Sequence, residues 1–211
     1  MDAAFWHQRW HANEIPFHER TANPLLLRHF PTLALANGAR VFVPLCGKSL
    51  DLGWLRSRGH AVAGAELSEL AVQQLFAELG FEPRVADLGC TRHYRGDRLD
   101  VFVGDIFQLS REMLGPVDAV YDRAALVALP AEMRRRYAAH LTDITAHAPQ
   151  LLIGYEYDQT LLAGPPFSVD RTELHGHYGE SYRLTLLEST DLAGGLKGKC
   201  PAKEQVWLLT S

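Results

Sequence analysis

The sequence is poor in cysteine and has no long apolar run. Its three cysteines, Cys46, Cys90 and Cys200, lie far apart among 211 residues. An odd number of widely spaced cysteines argues against a disulfide framework and favours free thiols in a reducing compartment. No apolar run approaches the roughly 20 residues of a membrane-spanning helix, and residues 1–20 lack the basic and then apolar segments of a signal peptide. We therefore expect a cytoplasmic protein with no membrane partner.

The sequence also lacks an excess of positive charge. It has 21 lysines and arginines against 25 aspartates and glutamates, which gives a formal net charge of -4. Proteins that bind nucleic acid without regard to its sequence usually present a basic surface, so we expect no nucleic-acid partner. No apolar heptad or exposed apolar helix stands out, which favours a monomer.

Apolar segments along the chain alternate between strand-like and helix-like patterns. Five β-prone segments are separated by helical patterns, an order typical of a parallel α/β sheet. They are residues 40–45, 60–67, 99–105, 117–123 and 150–158. Two more strand-like segments, 182–190 and 204–211, have no obvious helix between them. The pattern predicts a doubly wound, mostly parallel sheet with one antiparallel strand near an edge, and residues 91–98 could add a hairpin arm.

The helical patterns carry recognisable start signals and apolar faces. Ser49 and Ser68 are candidate N-caps, residues 107–114 predict a short helix, and residues 130–147 have apolar positions at helical spacing. Residues 1–38 precede the first strand-like segment and are rich in tryptophan, phenylalanine and histidine. We expect them to form a helical cap over the active site of one domain.

That single domain is expected to span residues 1–211, with residues 39–211 as its sheet-and-helix core. The turn after its first predicted strand, PLCGKS at residues 44–49, lies where open parallel sheets bind ligands. A Walker A loop would need a glycine where Phe42 stands. The dinucleotide fingerprint G-x-G-x-x-G is absent too, because the next glycine after Gly47 is Gly53. A phosphate-binding loop is therefore disfavoured.

The same region suits S-adenosylmethionine better. The amino-acid end of that molecule needs backbone contacts where the first strand ends, at Leu45, and Gly47 can make room for it. Its ribose hydroxyls suit a carboxylate at the end of the second strand, where Glu66 stands. Asp105 and Ile106 follow the third strand and offer adenine a polar contact and an apolar slot. Each signal alone is weak, since a strand-ending acid is often a helix cap, but three in order favour this cofactor.

Longer segments resemble the thiopurine S-methyltransferase family, and in particular its bacterial members. The matching segments are FWHQRWHANEIPFHE (5–19), RVFVPLCGKSLDLGWLRSRGHAVAGAELS (40–68), DAVYDRAALVALP (118–130), GPPF (164–167) and WLL (207–209). The resemblance implies a seven-stranded class I methyltransferase fold with S-adenosylmethionine as donor and S-adenosylhomocysteine as product. It implies methyl transfer to the sulfur of thiopurines and related aromatic or heterocyclic thiols, and bacterial members are also associated with selenium and tellurium compounds.

The resemblance also implies roles for individual residues. Trp10, Leu45, Glu66, Ile106 and Arg123 would contact the cofactor. Arg123 would also face the substrate.

Phe17 would be an aromatic residue on the substrate side. The loop 191–204 differs from vertebrate members, which place a substrate-facing arginine in this region, and Lys197 or Lys199 could take its place.

Some features leave the chemistry open. Arg123 could hold the acceptor or favour its thiolate form, and Asp122 could pair with Arg123 or accept a proton.

His7 and His11 have helical spacing for a metal, but no third ligand is evident, so we expect no metal. The run of three arginines at 134–136 is typical of a solvated helix face. A binding protein that senses S-adenosylmethionine or a purine without catalysis is the alternative outside enzymes.

Overall fold

The computed structural model describes residues 3–15, 18–19 and 21–211, and these form one large sheet with helices on both faces. The strands are β1 (Arg40–Pro44), β2 (Ala61–Glu66), β3 (Arg84–Asp87), β4 (Arg92–Gly96), β5 (Leu99–Val103), β6 (Ala119–Arg123), β7 (Gln150–Tyr157), β8 (Arg183–Asp191) and β9 (Ala202–Thr210). The α-helices are α1 (Ala3–His11), α2 (Pro24–His29), α3 (Asp51–Ser57), α4 (Glu69–Glu78), α5 (Arg111–Leu114), α6 (Ala131–Ile144) and α7 (Arg171–Tyr178).

The strand order is β3-β4-β5-β2-β1-β6-β7-β9-β8. The central strands β5, β2, β1, β6 and β7 pair in parallel, while β9 is antiparallel to both β7 and β8. The prediction of a doubly wound sheet with a mostly parallel core is therefore confirmed. In the described residues the sheet has nine strands, which are the seven predicted strands and two additional ones.

The two additional strands form a hairpin at one edge. β4 pairs antiparallel with β5, and β3 pairs antiparallel with β4. β4 corresponds to the predicted arm at 91–98. β3 was missed because all four of its residues are exposed, so its sequence lacks the apolar alternation by which a half-buried strand is recognised.

Apolar side chains fill both faces of the sheet, as the alternation of a strand requires. In β1, Val41 and Val43 pack in the cluster with Leu52 of α3. Phe42 between them packs on the other face, in the cluster that contains Leu141 of α6. Because helices cover both faces of the sheet, the ends of the parallel strands are the part of the core that remains accessible to a ligand.

Local capping chemistry explains where two of the helices begin. Ser68 caps α4 by accepting from the backbone N–H of Ala71 at 3.4 Å. The predicted helix over 107–114 is divided in two, because Ser110 accepts from Met113 N at 3.2 Å and starts α5 after a single 3-10 turn. Ser49 is not the N-cap that was predicted, because it lies one residue before the N-cap position of α3, which is Leu50.

None of the helices in the described part of the chain has the length and apolar character of a membrane-spanning segment.

Candidate functional site

A cavity of about 730 Å³ opens at the carboxyl ends of β1, β2, β5 and β6. Its volume falls within the about 300–1,000 Å³ usual for small-molecule sites. On one side it is lined by the turns after β1, β2 and β5, and on another by α1. The wall is completed by the segment after β6, by Tyr155 of β7 and by the two loops near residues 165 and 197.

The turn after β1 is shaped by unusual backbone angles and by a tryptophan that packs on it. Leu45 and Gly47 have φ angles of 46° and 53°. A Cβ atom on Gly47 would lie 2.9 Å from Cζ2 of Trp10, which is only 4% exposed. The turn therefore needs glycine at position 47 both for its left-handed backbone and for the close approach of α1.

Glu66 connects this turn to the end of β2. One of its carboxylate oxygens accepts from Gly47 N at 2.8 Å and the other from Ser68 N at 2.7 Å. Burial raises the pKa of Glu66, and these backbone hydrogen bonds oppose the rise. Each carboxylate oxygen has a second lone pair, so Glu66, which lines the cavity, can still accept from a ligand hydroxyl.

Cys46 occupies the space beneath the same turn. A Cβ atom on Gly64 would lie 2.8 Å from its sulfur. Burial raises the pKa of the Cys46 thiol well above its usual value, and the nearby Glu66 carboxylate adds to this. A buried neutral thiol packs as a small apolar group.

The segment after β5 places Asp105, Ile106 and Phe107 in the cavity wall. Asp105 accepts from Phe107 N at 3.0 Å and so starts a 3-10 turn. Ile106 is buried, and its carbonyl oxygen accepts from His140 Nε2 at 2.7 Å. The guanidinium carbon of Arg136 lies 3.9 Å from the ring centroid of Phe107, which suits a cation–π contact.

Arg123 points from the end of β6 into the cavity. Its Nη2 donates to Glu19, and its Nη1 lies 3.6 Å from Oδ2 of Asp51. Burial lowers the pKa of Arg123, but Tyr121, Asp51 and Glu19 outweigh it and raise the pKa on balance. The guanidinium is therefore a permanent cation at the cavity wall.

The structure places Asp122 away from this cation, and the prediction that the two side chains pair is wrong. Successive residues of a strand point to opposite faces, so Asp122 faces α6 while Arg123 faces the cavity. Its carboxylate accepts from Tyr137 Oη at 2.7 Å and from Leu126 N at 3.1 Å. Asp122 is fully buried, and burial raises its pKa to about 6.

The remaining wall combines aromatic and cationic side chains. Phe5, Trp6 and Arg9 of α1 line one part. Across from the strand ends, Lys197 lines the cavity and donates from Nζ to the carbonyl oxygen of Pro165 at 2.6 Å. The predicted substrate residue Phe17 lies outside the described residues.

Sequence reasoning missed several residues of this site. Glu19 and Asp51 give no local signal, because their common partner Arg123 is distant in sequence. Tyr155 could have been found, since it is a polar aromatic near the end of a predicted central strand.

Arg134 was predicted to be solvated and is buried instead, where it donates to Glu173 through Nε at 2.6 Å and Nη2 at 2.9 Å. The error arose because Glu173 belongs to another helix, α7, so nothing near Arg134 in sequence signals the pair.

No group of three or more histidine, cysteine, aspartate or glutamate side chains suited to a metal occurs in the described ranges 3–15, 18–19 and 21–211.

The strand order and the position of the cavity define a class I methyltransferase fold. Two solved methyltransferases have similar structures. One is 1,6-didemethyltoxoflavin-N1-methyltransferase from Burkholderia thailandensis, with a TM-score of 0.65 and 15% identity over 99% of this chain and 87% of that chain. The other is magnesium protoporphyrin IX methyltransferase from Synechocystis PCC 6803, with a TM-score of 0.65 and 14% identity over the whole of both chains. At these identities the likeness concerns the fold alone.

Sequence comparison gives the family. The family model described as thiopurine S-methyltransferase matches residues 1–210. A relative named thiopurine S-methyltransferase from Xanthobacter autotrophicus is 56% identical over 99% of both chains, and one of the same name from Teredinibacter turnerae is 51% identical over 100% of this chain and 98% of its own. This chain belongs to the thiopurine S-methyltransferase family, and the predicted family is confirmed.

Proposed function

We propose that this chain is an enzyme that transfers a methyl group from S-adenosylmethionine to the sulfur of thiopurines and related aromatic or heterocyclic thiols, leaving S-adenosylhomocysteine. The family match over almost the whole chain supports this activity. The structural observation that carries it is that one cavity joins the Gly47–Glu66 turn to the Arg123 guanidinium. Donor-side and acceptor-side groups therefore border the same space.

The turns after β1, β2 and β5 suit the donor. Leu45 and Gly47 offer backbone to its amino-acid end, and Glu66 offers carboxylate oxygens to ribose hydroxyls. Asp105 and Ile106 supply a polar and an apolar contact for adenine. When bound, S-adenosylmethionine supplies an electrophilic methyl group on a sulfonium.

Arg123 serves the acceptor. A permanent cation favours the thiolate over the neutral thiol of a heterocyclic acceptor, because an opposite charge nearby stabilises the ionised form. Such thiols ionise readily, so Arg123 replaces the strong base that a less acidic acceptor would need. Its planar fork also fixes the direction from which the acceptor sulfur approaches. The role of Phe17 as an aromatic contact to the acceptor stays a prediction.

Helix α1 closes the donor side of the cavity. Trp10 covers the turn at Gly47, and Trp6 and Phe5 line the neighbouring wall. Aromatic faces attract a cation such as a sulfonium, and their bulk excludes water from the reacting groups. This arrangement supports the proposal that residues 1–38 act as a cap on the 39–211 core of one domain.

In this proposal Asp122 has a structural role and does not transfer a proton. Its hydrogen bond to Leu126 N holds the 3-10 turn at Leu126–Ala128. That turn carries two of its residues, Val127 and Ala128, into the cavity wall. We assign Asp122 to the positioning of this wall.

The selenium or tellurium acceptor, the monomeric state and the cytoplasmic location stay predictions. None of them changes the residues assigned above. An acceptor of selenium or tellurium would use the same cation, since their common ions are also anionic.

Purified protein incubated with methyl-labelled S-adenosylmethionine and a panel of acceptors tests the activity. We expect label on 6-mercaptopurine and on thiophenol, and none on hypoxanthine, the oxygen counterpart of 6-mercaptopurine. Label on selenite or tellurite alone would favour the alternative acceptors. Binding of the donor without transfer to any acceptor would make the chain a binding protein and refute the proposal.

A further inference from the structure

Among the residues that the structure describes, two carboxylates lie within ion-pair distance of Arg123, and their surroundings differ. Asp51, the first residue of α3, lies 3.6 Å from its Nη1, and its side chain is 2% exposed. Glu19, from the segment between α1 and α2, accepts from its Nη2 and is 40% exposed. A single guanidinium therefore bridges a buried anion and a solvent-accessible one.

Asp51 is held in place by further donors. Its Oδ1 accepts from the backbone N–H of Asn23 at 2.7 Å, and its Oδ2 accepts from Tyr121 Oη at 3.0 Å. Tyr121 and Arg123 lie two residues apart on β6, so their side chains share the face on which Asp51 sits. Two hydrogen bonds from different parts of the chain and the nearby Arg123 guanidinium fix the position of this carboxylate.

Glu19 is held more weakly. Apart from Arg123, its carboxylate has Nδ2 of Asn23 at 3.4 Å from each oxygen, near the limit for a hydrogen bond. Glu19 also lines the cavity. The Glu19 side chain is 40% exposed and that of Arg123 is 11% exposed, so water reaches the carboxylate side of the pair and can solvate Glu19 when it leaves.

We propose that Glu19 is a displaceable counter-ion, which an anionic acceptor replaces on Arg123, and that Asp51 is the permanent partner that holds the guanidinium in place during the exchange. Glu19 keeps the cation paired while the acceptor side is empty. When a thiolate binds, its sulfur takes the position of the Glu19 carboxylate. Asp51 is a positioning residue, since it acts on the acceptor through Arg123.

The two carboxylates therefore have opposite effects on acceptor affinity. Removing the charge of Glu19 removes a competitor for Arg123 and strengthens the binding of an anion. Removing the charge of Asp51 leaves Glu19 as the one carboxylate of the described residues within ion-pair distance of Arg123 and turns the guanidinium towards it. The acceptor then meets a stronger competitor and binds less tightly. If both carboxylates had purely structural roles, removing either charge would weaken acceptor binding.

The inference rests on the proposed function and is tested with an acceptor that is ionised at neutral pH, 4-nitrothiophenol. We expect Glu19→Gln to lower its KM by about threefold or more with little change in kcat, and Asp51→Asn to raise KM by about fivefold. The inhibition constant of the neutral S-methyl product and the Kd of S-adenosylhomocysteine should stay within about twofold in Glu19→Gln.

Glu14→Gln is the matched control. Glu14 lines the same cavity from the same segment, but its carboxylate pairs with Arg9 at 3.3 Å. We expect its KM for the thiolate to stay near that of the wild type. If Glu14→Gln lowers KM as much as Glu19→Gln does, a general charge effect overturns the inference.

The inference also fails if Glu19→Gln raises KM, or if it lowers kcat about tenfold without changing KM, the behaviour of a proton acceptor. Because the Glu19 side chain is partly exposed, we expect Glu19→Gln to fold, and it decides the matter even if Asp51→Asn does not fold. A wild-type protein that methylates no thiol would refute the proposed function itself. An active wild type with unaltered Glu19→Gln kinetics would refute this inference alone.

Discussion

Arg123 is the residue on which acceptor chemistry depends. Replacing it with alanine removes the cation that favours the thiolate. We expect kcat/KM for 6-mercaptopurine to fall about tenfold or more, a loss of about 1.4 kcal/mol in transition-state stabilisation. Steady-state kinetics measure the change, with donor Kd as a second readout. Arg123→Lys keeps the charge without the planar fork, so its kcat/KM should lie between those of the wild type and Arg123→Ala. Near-wild-type kinetics in Arg123→Ala would contradict the role of Arg123.

Gly47 is the residue on which donor binding depends. Alanine there would meet Trp10 and would also strain a left-handed backbone. Gly38 has a φ of 79° with nothing within 4 Å of an added Cβ, so Gly38→Ala carries the strain without the clash. We expect Gly38→Ala to lose about 1–2 kcal/mol of unfolding free energy from backbone strain, and Gly47→Ala to lose more because the clash adds to it. Only Gly47→Ala should weaken S-adenosylhomocysteine binding in calorimetry; equal weakening in both would refute the role of the Trp10 contact.

The sequence predicts where the site residues lie in the fold better than it predicts their hydrogen-bond partners. Leu45 and Glu66 lie at the ends of predicted strands and Gly47 follows the first, and the structure brings all three to one cavity. The hydrogen bond from Gly47 N to Glu66 could not be predicted, because it depends on a turn conformation that sequence alone leaves open. The side of the sheet on which Asp122 lies was predictable, since strand alternation separates it from Arg123.

At the scale of elements, α6 and α7 are joined by a pair that also supports the cavity wall. Arg134 of α6 donates to Glu173 of α7 and to the carbonyl oxygen of Leu129 at 2.8 Å. Its guanidinium lies 5.7 Å from the ring centroid of Phe167, which follows the cavity-lining residues Pro165 and Pro166. The Arg134–Glu173 pair therefore connects the packing of α6 on α7 with the loop that contains Pro165 and Pro166.

Glu173→Gln tests this link. The change leaves a buried guanidinium without its anion, and we expect a loss of about 1.5–3 kcal/mol in unfolding free energy. Denaturant unfolding gives the value, and the KM for the acceptor should rise as the wall loosens. Glu180→Gln, at an exposed position just after α7, should change stability by less than about 0.5 kcal/mol. Equal stability of the two variants would contradict the account.

Elements with strong periodicity were predicted well, and the irregular ones were not. The central strands have continuous apolar runs, and α6 has a full apolar face, so burial dictates both. β3 has no buried residue, and the 107–114 segment contains Ser110, whose hydroxyl competes for the backbone. β3 therefore offers no apolar pattern from which to predict it, whereas in the 107–114 segment local hydrogen bonding outweighs the apolar pattern.

For the whole molecule, Glu188 connects the N-terminal region to the last strands. It lies at a bulge in β8 and accepts from Arg28 Nη1 at 2.8 Å, and it lies 2.7 Å from His29 Nε2, both in α2. Hydrogen bonds from His29 and Arg28 lower the pKa of Glu188 from 4.5 to about 2. A carboxyl with a lowered folded-state pKa stabilises the protein above its unfolded-state pKa and loses this contribution on acidification.

Wild-type protein should therefore lose unfolding free energy between pH 4.5 and about 2 through this group. Solvent screening keeps the effect small, since the side chain is partly exposed. We expect Glu188→Gln to show a shallower pH dependence than the wild type over that range, measured by urea unfolding. The exposed Glu132 in α6 provides a control, and Glu132→Gln should follow the wild-type curve. Parallel curves for all three proteins would refute the contribution.

The central claim is that the turn at Leu45–Gly47 and the carboxylate of Glu66 receive a nucleoside joined to an amino acid, not a nucleotide phosphate. Isothermal titration calorimetry of the purified protein with S-adenosylhomocysteine, ATP and NAD tests it most directly. The account predicts saturable binding of S-adenosylhomocysteine and no measurable binding of ATP or NAD. Tight binding of ATP or NAD, with none of S-adenosylhomocysteine or S-adenosylmethionine, would contradict it.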